Sequence, residues 1–129
     1  GAMFFLGLMY ETGEGVAVDD AEALKWIRKA AAKDDANAMV NMGVRYISGK
    51  GVPREPRQAR RWWQAAADKG DGDAMYFLGM LFSDGDEGVQ ADQDRAIQWL
   101  RQAAQAGNQE AARVLRQSGI GVVAPGDAI

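Results

Sequence analysis

Histidine and cysteine are both absent from this chain of 129 residues, and that narrows its chemistry at once. Without them there is no general base poised near neutral pH, no thiolate nucleophile, no disulfide and neither of the commonest zinc ligands. Carboxylates, lysines and hydroxyls remain. The densest group of carboxylates is the stretch SDGDEGVQADQD, from Ser83 to Asp94. A calcium loop of the EF-hand kind needs alternating acids, a glycine at its sixth place and a glutamate at its twelfth, and this stretch does not meet that spacing. It reads as an acidic, soluble loop that repels a second copy. No metal site and no cofactor are implied.

Charge is unevenly placed. Residues 50 to 69 carry six bases (Lys50, Arg54, Arg57, Arg60, Arg61, Lys69) against Glu55 and Asp68, whereas residues 71 to 94 carry seven acids and no base. The basic stretch is short and has no aromatics spaced for stacking, and the whole chain has a net charge of −3. It is read as a solvated helix face, and nucleic acid is not an expected partner. No apolar run approaches the roughly 18 residues that a membrane-spanning helix needs, so membrane insertion is not expected. No carboxylates pair across a cleft, and no glycine-rich loop opens a helix after a strand. The chain is not expected to be an enzyme.

What positions these residues is a line written three times. AMFFLGLMYETGEG starts at Ala2, AMVNMGVRYISGKG at Ala38 and AMYFLGMLFSDGDEG at Ala74. The spacing is 36 residues, and it becomes 37 where the loop at 85–88 carries one extra residue. Gly7, Gly43 and Gly79 correspond, as do Tyr10, Tyr46 and Phe82, Trp26, Trp62 and Trp99, and the alanine pairs at 30–31, 66–67 and 103–104. A fixed period of this size marks a solenoid.

Each copy predicts two helices. In the first, Ala2, Leu6 and Tyr10 share one face, and the recurring glycine beside them predicts close approach by a neighbouring helix. The G-x-G-V loop ends it. The second helix starts near Asp19, Glu55 or Asp92, with Pro56 suited to a first turn. Its stripe, Ala23, Trp26, Ile27, Ala30 and Ala31 in the first copy, is apolar at helical spacing. Gly70 and Gly107 close it in two copies, with Asp34 in that place in the first. Seven helices are expected, over roughly 2–12, 19–33, 36–48, 55–69, 72–84, 92–106 and 108–118. One repeat domain is expected over 1–118, with repeats at about 2–37, 38–73 and 74–110, a capping helix at 108–118 and an irregular tail at 119–129. The tryptophans, Trp63 included, are read as core packing rather than a stacking platform.

The pattern A-x-x-x-L-G-x-x-Y, then G-x-G-V, D, A-x-x-W and A-A-x-x-G resembles the Sel-one-like repeat (SLR) family, relatives of the tetratricopeptide repeats. The likeness runs from Ala2 to about Ala112, with small departures such as Met42 for leucine, Phe82 for tyrosine and Glu55 for aspartate. It implies an all-α, right-handed superhelix of antiparallel helix pairs, acting as a scaffold or adaptor for other proteins. It also implies a bacterial protein of the periplasm or cytoplasm, the periplasm being favoured by the resemblance alone. No family catalytic residue carries over.

Family solenoids turn their first helices inward, so the side opposite the Ala-Leu-Tyr face should line the concave surface. That side carries Phe4, Phe5, Leu8 and Thr12, then Val40, Asn41, Val44 and Ser48, then Tyr76, Phe77, Met80 and Asp84, with Glu110 and Arg113 extending it. Its apolar character suits a peptide or helix of a partner protein. Phe5 and Phe77 are equally readable as partly buried between first helices, and Leu8, Val44 and Met80 lie nearest its centre. The expected function is a non-catalytic interaction module. The alternative is a dedicated inhibitor, such as an immunity protein that blocks one toxin. MFFLGLMY is apolar all round, which predicts either a removed upstream repeat or docking of this end, for instance as a homodimer through the N-terminal helix. Gly1-Ala2-Met3 reads as a cloning scar, and the natural protein is expected to extend upstream.

Overall fold

A computed structural model describes residues 20–122. It contains α1 (Asp20–Ala32), α2 (Ala36–Ser48), α3 (Pro56–Asp68), α4 (Gly72–Asp84), α5 (Gln93–Gln105) and α6 (Gln109–Gln117). These spans agree with the expected ones to within one residue at each end. Among the described residues there is no strand, only an isolated bridge between Asp86 and Val89. The helix expected over 2–12 lies outside the described residues, as does the tail from 123 on. The chain divides into two units, one running to Ala66 and one beginning at Ala67.

The first helices of the second and third copies, and the capping helix after them, begin on side-chain caps. Asp35, Asp71 and Asn108 sit with extended backbone, and each side chain accepts from the amide three residues on, at Ala38 (3.1 Å), Ala74 (3.0 Å) and Ala111 (2.8 Å). That satisfies one of the amides a helix start leaves without an internal partner. Two of these caps also close the preceding helix. The Asp35 amide donates to Ala30 O (3.1 Å) while the Asp34 amide donates to Ala31 O (3.1 Å), and Asn108 and Gly107 repeat the arrangement on Ala103 (2.9 Å) and Ala104 (3.0 Å). This is the Schellman closure, which demands a left-handed residue in its penultimate place. Gly107 supplies φ 97° and Asp34 supplies φ 67°. The last helix ends likewise, with Ile120 N donating to Leu115 O (2.8 Å) after Gly119.

The connection from first to second helix is longer. Its anchor is the same in both copies described: Glu55 N donates to Tyr46 O (2.9 Å) and Asp92 N to Phe82 O (2.8 Å). The extra residue of the later copy is taken up in a turn closed by Asp86 and Val89, with Val89 buried. Pro56 opens α3, where its missing amide costs nothing. Asp92 caps α5 through Arg95 N (3.1 Å).

In the first unit, Ala23, Ile27, Ala30 and Ala31 of α1, Ala38, Met39 and Met42 of α2, and Ala59, Trp63 and Ala66 of α3 are buried. A large side chain such as Ile27 or Met42, with no exposure at all, contributes about 1.5–3 kcal/mol by leaving water. The recurring glycine does what its recurrence predicts. A Cβ on Gly43 would overlap the Trp63 indole, and one on Gly79 would lie 2.7 Å from Leu100 Cγ and 3.3 Å from Ala96 O. Trp63 and Leu100 hold the same place in the repeat, so first and second helices meet at one repeated contact. In the second unit, α4 packs along α5 through Leu78, Gly79, Phe82, Ala96 and Leu100. Helix α6 adds Ala111 and Leu115 against Leu100 and Ala103. Residues 119–122 are irregular, as expected, but not loose: Arg101 Nε donates to Gly121 O (2.9 Å), and Ile120 and Val122 pack on that cluster.

Two expectations follow for urea denaturation. Gly79→Ala gains about 1 kcal/mol of helix propensity but forces Leu100 aside, an overpacking cost of about 1–3 kcal/mol. The net result is a lower midpoint. Leu100→Ala should then cost less in the Gly79→Ala background than alone, and simple additivity of the two changes would refute the contact. Asp34→Gly relieves a left-handed aspartate and should raise stability by about 1 kcal/mol; an unchanged or lower midpoint would mean the aspartate side chain stabilises this corner.

Candidate partner-binding surface

The twelve positions read from the sequence fall as follows. Phe4, Phe5, Leu8 and Thr12 lie outside the described residues. On α2, Val40 and Asn41 are half-buried and Ser48 is exposed. Val44, at 38 % exposure, is the one exposed large hydrophobic residue among the described residues. The Ser48 hydroxyl donates back to Val44 O (2.8 Å), so it is turned along the helix. The α2 positions therefore form one strip, open at Val44 and flanked by polar groups.

The equivalent strip on α4 is less open. Tyr76, Phe77 and Met80 are half-buried and Asp84 is exposed. The rings of Tyr76 and Phe77 meet at 5.7 Å with a 56° tilt. Tyr76 and Met80 pack against the cluster of Leu100, Ala103, Ala111 and Leu115. Met80 and Val44 occupy the same repeat position, yet Met80 is half-buried against core side chains while Val44 is exposed. Glu110 and Arg113, which continue the line on α6, are exposed and pair with each other at 3.2 Å.

The sequence reading missed Arg45. It is 2 % exposed and among the most buried large side chains described. Its Nε donates to Asn41 Oδ1 (3.0 Å) and its Nη1 to Lys50 O (3.3 Å). Arginine can only donate, so it holds the Asn41 amide in one orientation on the candidate surface. The signal was present in the repeat: the equivalent residues are Met9 and Leu81, and Leu81 is 7 % exposed. An arginine at an apolar repeat position marks a buried, hydrogen-bonded charge.

The other candidates for chemistry are dispersed. Asp86 accepts from its neighbour's amide, Glu87 N (2.7 Å), Asp92 serves as a helix cap, and Asp84, Glu87 and Asp94 face solvent. Among the described residues no group of acids is placed to hold a metal ion, and no helix is long and apolar enough to cross a membrane. In the basic stretch, Arg57 and Arg61 are exposed on α3 and Arg54 Nε donates to Ile47 O (2.8 Å). Trp63 is core, with its Nε1 donating to Val40 O (3.2 Å). Trp26, Trp62 and Trp99 are only half-buried. Lys29 Nζ lies 4.8 Å from the Trp26 ring centre, a cation–π distance.

With this geometry in hand, known proteins place the chain. Three Sel1 repeats are recognised, over residues 1–35, 36–71 and 72–108. Among curated proteins none matches. A Sel1 repeat protein from Oxalobacter formigenes is 39 % identical, with a TM-score of 0.87 over 91 % of this chain and 47 % of that one. A protective antigen present in uropathogenic Escherichia coli strains, displaying an SLR fold, is 35 % identical, with a TM-score of 0.83 over 93 % of this chain and 26 % of that one. The chain thus spans less than half the length of either structure. Sel1 repeat proteins generally mediate protein–protein interaction and are typically non-catalytic. The repeated line of sequence, the helix pairs it folds into and these likenesses agree: the chain belongs to the Sel1 repeat family.

Proposed function

We propose that the chain is a non-catalytic interaction module that holds a peptide or helix of a partner protein on the outward side of its first helices, the concave side of an SLR solenoid. The observation that carries this reading is Val44: a large apolar side chain left exposed on α2, beside an asparagine whose orientation a buried arginine enforces. Apolar contact flanked by oriented polar groups is the usual anatomy of a protein-recognition surface. The half-buried Tyr76, Phe77 and Met80 add apolar area at equivalent positions of the next copy. Phe4, Phe5, Leu8 and Thr12 are proposed to contribute in the same way.

The test is a pull-down with identification of the captured protein by mass spectrometry, followed by affinity measurements on variants. Val44→Glu should weaken capture at least tenfold, about 1.4 kcal/mol, while stability stays within about 0.5 kcal/mol, as for other surface changes. Met80→Glu should instead lower the melting temperature, because its carboxylate would meet the Leu100–Leu115 cluster. Undiminished capture by Val44→Glu would remove this face from consideration.

A further inference from the structure

The second helices of the three copies are equivalent in the repeat, so the residues at matching positions can be compared directly. On α3 one such stripe reads Arg57, Arg60, Gln64 and Asp68, and on α5 it reads Asp94, Ile97, Arg101 and Gln105. Both are mostly polar, and on α5 Arg101 and Gln105 donate to Gly121 O (2.9 Å) and Val122 O (3.4 Å) of the segment after α6. On α1 the same places hold Ala21, Leu24, Arg28 and Ala32. Three of the four are apolar, and this side is opposite the buried Ala23, Ile27, Ala30 and Ala31. Ala21 and Ala32 are exposed, while Leu24 is half-buried beside Gly51. Together with Lys25, Arg28 and Lys29, all exposed, they line a shallow open cavity of about 330 Å³.

We propose that the outer stripe of α1 docks an acidic amphipathic helix of a partner protein, a surface separate from the first-helix face. Charge complementarity names the occupant. Arg28 within the stripe and Lys25 and Lys29 beside it are three cations on an otherwise apolar floor, in a chain whose net charge of −3 otherwise repels acidic ligands. Shape names the element. Alanines at both ends let a second backbone approach closely, Leu24 offers one knob between them, and the stripe is about 16 Å long, three helical turns. Glutamates beside a Leu/Ala stripe on the incoming helix would meet Lys25, Arg28 and Lys29 in turn.

The test uses the full chain and a fluorescein-labelled synthetic helix of about three heptads, with Leu and Ala along one stripe and Glu flanking it. Its twin has Lys in place of Glu. Fluorescence anisotropy should report binding of the acidic helix and none of the twin, with affinity falling as salt rises. Arg28→Glu, at an exposed position, and Leu24→Glu should each weaken binding at least tenfold with unchanged circular dichroism. Val44→Glu should bind the helix as well as the unmodified chain does, which separates this surface from the first-helix face. Three results would overturn the proposal. One is binding indifferent to both α1 substitutions, or no binding at all. Another is self-association in sedimentation that Leu24→Glu abolishes, which makes a second copy the occupant. The last is Leu24-dependent binding to phosphatidylglycerol vesicles without peptide binding, which makes the stripe a lipid contact.

Discussion

The contact of a glycine on a first helix with a bulky side chain on the following second helix carries the fold. At Gly43 and Trp63, and again at Gly79 and Leu100, two backbones come close enough that a single methyl group has no room. Close approach makes the alanines effective. Ala23, Ala59, Ala96 and their neighbours bury little area each, yet they leave no gaps because the helices lie against one another. Where the glycine contact is filled by tryptophan, the ring also donates to Val40 O, so the first unit adds a directional bond at the point where the second relies on shape alone. Packing of this kind fixes the rotation of each first helix about its axis. That rotation decides which residues face outward, and hence that Val44 is open.

Much of this could be read in the sequence, because a repeat supplies its own controls. Three copies of one line show which positions tolerate nothing but glycine, alanine or tryptophan, and helical spacing turns those positions into faces. Helix starts were legible in part: Asp92 was read from its place ahead of an apolar periodicity, whereas Asp35, Asp71 and Asn108, short polar side chains in the same kind of place, were not singled out as caps. The candidate surface was less legible. Helical arithmetic assigns a direction to Val44 and Met80 but not a neighbour, and the valine is exposed while the methionine is half-buried against a cluster. Arg45 escaped notice because an arginine is read as solvent-facing unless its repeat position is consulted. Trp26, Trp62 and Trp99 share a repeat position that pattern alone reads as core, whereas all three are only half-buried.

Among the described residues, several polar groups serve the backbone. Aspartates and Asn108 hold helix starts, Arg45 reaches Lys50 O in the loop and Arg54 reaches Ile47 O in the last turn of α2, and Arg101 fastens the segment after α6. A polar inventory spent on main-chain partners suits a scaffold whose recognition rests on shape, and it accords with the absence of histidine and cysteine. The Asn108 amide does two things at once: it caps α6 and donates to Asp73 Oδ1 (2.9 Å), tying the starts of two successive first helices together.

The two kinds of corner differ in how much length they tolerate. Between a second helix and the next first helix, one left-handed residue and one cap exhaust the chain. Between a first helix and its second, the bonds from Glu55 to Tyr46 and from Asp92 to Phe82 pin the ends, while what lies between has already grown by one residue. Natural drift in size, or a deliberately grafted epitope, has a permissive slot at this corner of each described brick.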